Sequence, residues 1–207
     1  MGVRRTDASW MGLALCAALL LAGVVLAILG TGERGTNAAL AATARLSFLL
    51  FWAAYSGGAL AAVFGPIFHP LKRRAREFGL AFAAAHLVHI ALVAWLCRLG
   101  HVPHVVTFVV FGIALIFTYL LALFSIESLR QKFGSRWWWF LRTVGMNYIA
   151  YAFFIDFLKH PFHGDIKHVV EYLPFIILAA VGPLLRLVSW TLRIQHQRPK
   201  SDEVITR

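Results

Sequence analysis

Residues 105–125 read VVTFVVFGIALIFTYLLALFS, an apolar run without a charged side chain from Val105 to Ser125. At ~1.5 Å of rise per helical residue, this run covers the ~30 Å hydrocarbon core of a bilayer. Lipid offers no water to satisfy backbone N–H and C=O groups, so a spanning run of this kind has to be helical. Five more blocks of similar length accompany it: Trp10–Leu29, Leu46–Phe64, Phe78–Cys97, Trp137–Leu158 and Val170–Trp190. Polar or breaker-rich connectors separate them at Gly30–Asn37, Gly65–Glu77, Arg98–His104, Ile126–Arg136 and Lys159–His168. None has room for a soluble domain. The expected fold class is all-α: a polytopic six-transmembrane-helix bundle forming a single membrane domain over residues 1–207.

Composition agrees with that expectation. Of 207 residues, 60% are apolar and only 14% are charged, and the mean hydropathy is +0.73. A soluble domain carries charge at about a quarter of its positions, so it would not keep so much apolar surface in solution. The net charge of +11 does not point to nucleic acid, because the basic residues sit between the apolar blocks, where they set membrane orientation. Arg4 and Arg5, Lys72, Arg73, Arg74 and Arg76, Arg130, Lys132 and Arg136, and the tail residues Arg193, Arg198, Lys200 and Arg207 fall on one side. The other side has only Arg34, Arg45, Arg98, Lys159 and Lys167, partly offset by Glu33 and Asp165. This alternation places both termini in the cytoplasm, and the expected location is a bacterial inner membrane. Trp137, Trp138 and Trp139 then lie at the cytoplasmic interface, where indole rings prefer to sit.

Arg4 and Arg5 ahead of an apolar run resemble a signal peptide. The Trp10–Leu29 run exceeds the ~7–15 residues of a signal core, however, and a retained helix is expected. Gly2 and Thr6 fit a loose N-myristoylation pattern, which adds little beside spanning helices. Cys16 and Cys97 lie in or at the end of apolar blocks, with no C-x-x-C motif, and read as small packing residues.

The residues with most chemical potential are His86 and His89, in the middle of the third block. Spacing of three puts them on one helix face. Counted from Phe78, they lie roughly 12 Å and 16 Å deep. An unpaired ionisable group at that depth is costly, so each imidazole needs a hydrogen-bond partner, a proton-transfer role or a metal. Iron in haem suits neutral imidazole, and a porphyrin fits between helices. A hydroxyl or carbonyl on a neighbouring helix is the simpler partner.

The run Arg73-Arg74-Ala75-Arg76-Glu77-Phe78-Gly79-Leu80-Ala81-Phe82 leading to His86 resembles the start of a haem-ligating helix in ferric reductase-like transmembrane proteins. That superfamily includes the haem-binding membrane subunit of the bacterial methionine sulfoxide reductase pair. Leu121-Ala122-Leu123-Phe124-Ser125, then Phe133-Gly134, Trp138 and Leu141-Arg142-Thr143-Val144-Gly145, carry the likeness further. It covers the second to fifth helices, a ferric reductase-like core over residues 46–158.

The resemblance implies a haem b electron-transfer protein, a membrane oxidoreductase component supplied by a separate electron-donor protein or a quinol. It implies His86 as a ligand to haem iron, with His89 second. The partner ligand would fall on the fifth helix, after a Trp and directly after a Leu, and Arg142 stands there instead. No histidine occurs between Val105 and Lys159, and arginine has no lone pair to give to iron. Bis-histidine ligation between these helices is therefore excluded. Three alternatives stay open: haem held by His86 with a ligand from elsewhere such as His69, or with an open position; Arg142 paired with a haem propionate or a lipid phosphate; or a degenerate relative that keeps the bundle without haem, as a non-catalytic membrane partner protein. Arg142 lies about five residues into its block, close enough to snorkel to the interface.

Asn147 is expected to hydrogen-bond across helices. Asp156 is expected at the outer end of its helix beside Lys159, and Arg186 either to snorkel or to join Arg142 in an anion site. His101 and His104 on one outer connector and His160, His163 and His168 on another form a candidate outward-facing metal or transport site with Asp165. Solvated loop histidines are the simpler account. The basic cluster at Lys72–Arg76 also suits an acidic partner or anionic lipid head groups. No Walker loop, dinucleotide-binding glycine turn or flavin domain is present.

Overall fold

The computed structural model describes residues 5–126, 129, 131–132, 134–159 and 166–197, with only the backbone of 5, 166–168, 196 and 197. Arg4, Arg130, Phe133, His160, His163, Asp165, Arg198, Lys200 and Arg207 lie outside the described residues, as do the side chains of Arg5, Lys167 and His168. Among the described residues the chain is helical, with no strand: α1 (Arg5–Leu29), α2 (Glu33–Phe64), a 3₁₀ turn (Pro66–Phe68), α3 (His69–Arg73), α4 (Ala75–Arg98), α5 (Val105–Phe124), α6 (Ser135–Lys159) and α7 (Ile166–Gln197). Gly30 at φ 84° and Gly65 at φ 79° close α1 and α2. A side chain in that left-handed region would meet its own backbone, which is why glycine stands there.

Five helices are long and apolar enough to cross a membrane: Thr6–Leu29, Glu33–Phe64, Ala75–Arg98, Val105–Phe124 and Val169–Gln195. The chain is thus built as a multi-pass membrane protein. α6 has the length of a sixth span, but Arg142, Asn147, Asp156 and its run of tryptophans and tyrosines dilute its apolar character. Two elements differ from the sequence expectation in extent. α2 begins at Glu33 rather than Leu46, because Ala38–Ala44 are nearly all good helix formers although Glu33, Arg34 and Arg45 lower the local hydropathy. Its 32 residues make a rod of ~48 Å, longer than the hydrocarbon is thick. α7 likewise runs from Ile166 to Gln197, carrying Pro174 and Pro183 within it.

α2 is the central helix, in contact with α1, α3, α4, α6 and α7. Its two faces bury different chemistry. Toward α1 and α4 lies a seam of small residues: Ala14, Ala18 and Ala22 from α1, Ala39 from α2, and Ala81 and Ala85 from α4. Recurrence every fourth residue puts each set on one face, and missing side-chain bulk lets the backbones approach closely, which is how helices associate in lipid. Toward α6 and α7 the packing is aromatic. Phe48 lies edge-on to Phe157 at 4.9 Å and to Phe153 at 5.3 Å, the arrangement the ring quadrupoles favour. α5 packs on α6, where Gly145 leaves room for Phe117 and Leu121. A Cβ on Gly145 would sit 3.1 Å from carbons of both.

Polar ties mark the two ends. At one, Arg76 Nη2 lies 3.0 Å from Asp7 Oδ2, and Trp10 packs against Phe78 at 5.2 Å. At the other, Trp95 Nε1 donates to Thr31 O at 3.0 Å, and His101 lies 3.3 Å from Glu33. The start of α1 therefore meets the start of α4, while the start of α2 meets the end of α4. Lys72, Arg73, Arg74 and Arg76 all gather at the first end. Arg45, an outer-side charge by sequence, is drawn inward. Its guanidinium sits 4.7 Å over the Tyr172 ring and 3.4 Å from Glu171.

Candidate functional site

α4 carries both mid-block histidines on the face between the small-residue seam and the aromatic cluster. The rings of His86 and His89 stack at 5.1 Å with planes 14° apart. His89 is partnered: Thr43 Oγ1 on α2 is 3.2 Å from its Nδ1. The Thr43 hydroxyl donates back to Ala39 O at 2.8 Å, so its oxygen accepts from His89 Nδ1–H, which assigns that tautomer. The neighbouring-hydroxyl alternative thus accounts for His89. Thr43→Val, which keeps the shape and removes the acceptor, is expected to lower stability by about 1 kcal/mol. A detergent unfolding midpoint measured against wild type checks this, and an unchanged midpoint would reject the Thr43–His89 bond.

His86 differs. Its Nδ1 is buried with no hydrogen-bond partner. Phe82 lies 5.3 Å from the ring and Phe153 from α6 6.4 Å away, so aromatic side chains occupy its flank.

Toward the basic end, α2, α4, α5 and α6 line a part-open pocket of about 140 Å³. Phe51, Phe82 and Ile149 form part of an apolar wall, while Arg76, Arg142 and Trp138 bring polar groups to it. The structure thus puts Arg142 and Arg76 on one pocket, a placement no sequence spacing suggested. Among the lining hydroxyls, Thr118 donates to Ala114 O and Ser125 to Leu121 O, each at 2.8 Å. Arg76 and Arg142 are therefore the cationic donors among the lining residues. His86 does not line it.

The remaining candidates are dispersed. Arg186 does not join Arg142; it lies 4.4 Å over the Tyr55 ring. Tyr55 in turn donates to Asn147 Oδ1 at 2.8 Å, giving Asn147 the interhelical bond expected of it. His69 is exposed at the start of α3. Cys16 is exposed and Cys97 half-buried, and both are free. Among the described residues no three metal-ligating side chains come together. Within the outer histidine cluster, His160, His163 and Asp165 and the side chain of His168 lie outside the described residues.

The residues present do not fit a haem held between two histidines. His86 and His89 project side by side from one helix, and α6 faces them with Phe153. The pocket nearby is not lined by either histidine, and Arg142 stands on its wall where a second imidazole would be needed. Fold and site together define an all-helical, multi-pass membrane protein with a small cationic pocket at one end of the bundle. No family model, curated protein or solved structure matches this chain.

Proposed function

We propose that the chain is a six-span inner-membrane protein, both termini cytoplasmic, which keeps a ferric reductase-like bundle without haem and acts as a non-catalytic partner protein in the membrane. α6 supplies the sixth span, its polar side chains being absorbed by Tyr55, by the pocket and by the two interfaces. The gathering of Lys72–Arg76 with the starts of α1 and α6 supports a cytoplasmic assignment for that end. One observation carries the haem-free reading: Arg142 stands where the resemblance calls for a ligand, and it lines a pocket together with Arg76 and without any histidine.

A second reading, haem b on His86 alone in an electron-transfer protein, is favoured by the unpartnered Nδ1 of that ring. In it His86 would hold the iron, the haem would supply one-electron chemistry, and a separate donor protein or quinol would feed it. Purification in mild detergent, from cells well supplied with haem, separates the two. Colourless protein from both wild type and His86→Ala is expected. A Soret band that shifts with dithionite and vanishes in His86→Ala would overturn the haem-free reading in favour of the second.

A further inference from the structure

We propose that the pocket between α2, α4, α5 and α6 binds the phosphate of an anionic phospholipid, with Arg76 and Arg142 on the phosphate and the acyl chains along the apolar wall. Three observations converge on this ligand class. First, Arg76 is only half satisfied: Asp7 takes one terminal nitrogen at 3.0 Å, while its Nε is buried with no partner. An anion reaching that donor completes a charge-assisted hydrogen bond. Arg142 lines the same pocket from α6, and the planar guanidinium suits phosphate better than an ammonium does.

Second, basic residues outnumber acids at this end. Lys72, Arg73 and Arg74 are exposed there, whereas the nearby acids are Asp7, ion-paired with Arg76, and Glu77, whose Oε2 is buried without a partner and which does not line the pocket. Third, the rest of the wall is apolar. Phe51, Phe82 and Ile149 offer nothing to a free inorganic ion but do suit a hydrocarbon chain. Access is lateral, between α4 and α5, which meet only sparingly; α4 and α6 are bridged deeper in the bundle by Phe82 and Phe153. The pocket lies near the start of α4, the end of α5 and the start of α6, which is the depth of lipid head groups.

Native mass spectrometry of the full chain, released from mild detergent after incubation with phosphatidylglycerol or phosphatidylcholine, tests the proposal. Wild type and Arg136→Gln, an exposed change on the same helix outside the pocket, are expected to retain phosphatidylglycerol. Arg142→Gln is expected to bind it about tenfold more weakly, and Arg142→Lys, which keeps the charge, to lose less. Phosphatidylcholine is expected to leave readily, and millimolar inorganic phosphate to compete poorly. Equal retention by wild type and Arg142→Gln would overturn the site. Displacement by inorganic phosphate alone would overturn the lipid assignment and give the pocket to a soluble phosphate.

Discussion

Ala85→Leu is expected to destabilise the bundle by about 3 kcal/mol, at the upper end of the usual overpacking range. Ala85 is fully buried in the seam formed with Ala14, Ala18, Ala22, Ala39 and Ala81. Three extra carbons there have no void to fill, so α1, α2 and α4 must move apart and give up contacts along the whole seam. In lipid those contacts hold the helices together, because hydrocarbon is as apolar as the side chains themselves. Leu87→Ala, two residues on and 49% exposed, is the matched control, expected within about 0.5 kcal/mol of wild type. Unfolding midpoints by size-exclusion chromatography after heating compare the three proteins. If Ala85→Leu melts where Leu87→Ala does, α4 does not present this face to α1 and α2.

Asp7→Asn is expected to cost about 2 kcal/mol and to loosen α1 from the bundle. The Asp7 side chain is 2% exposed and its partner Arg76 is 30% exposed. Removing one member of a fully buried pair costs ~3–5 kcal/mol, and the partial exposure of Arg76 lowers that figure, since water takes up some of the released charge. A double-mutant cycle with Arg76→Gln isolates the pair. The double variant should be clearly more stable than the sum of the two single losses predicts. Strict additivity would mean that the two side chains act independently and that α1 is held by the small-residue seam alone.

Much of the helical layout was legible in the sequence, because a spanning run and the charges that flank it are local properties. Val105–Ser125 announces itself by length and lack of charge, and α5 covers nearly the same residues, Val105–Phe124. Boundaries moved where hydropathy and helix propensity disagree. Glu33–Arg45 is too polar to look like a span, yet its alanines make it the first part of α2.

The site was legible only in part. His86 and His89 were visible as polar groups at depth, and Asn147 as an interhelical donor or acceptor. The four-residue recurrence of small residues in α1 and α4 is present in the sequence, but alanine in an apolar run does not stand out by hydropathy. Nothing local links Thr43 to His89, which are 46 positions apart, or Asp7 to Arg76. Arg45 reads as a loop charge until Tyr172 and Glu171 are brought over it.

The sequence by itself determined that this is a helical membrane protein, with its basic connectors alternating from side to side. Transfer into lipid is decided residue by residue, so order along the chain is enough to read it. Which faces meet was left to the tertiary structure. A helix that is apolar all round has little contrast between buried and lipid-facing sides, so the pairing of small seams, aromatic faces and isolated polar groups settles the packing. That pairing gave His89 its hydroxyl, left His86 Nδ1 without a partner and put Arg142 and Arg76 on one pocket.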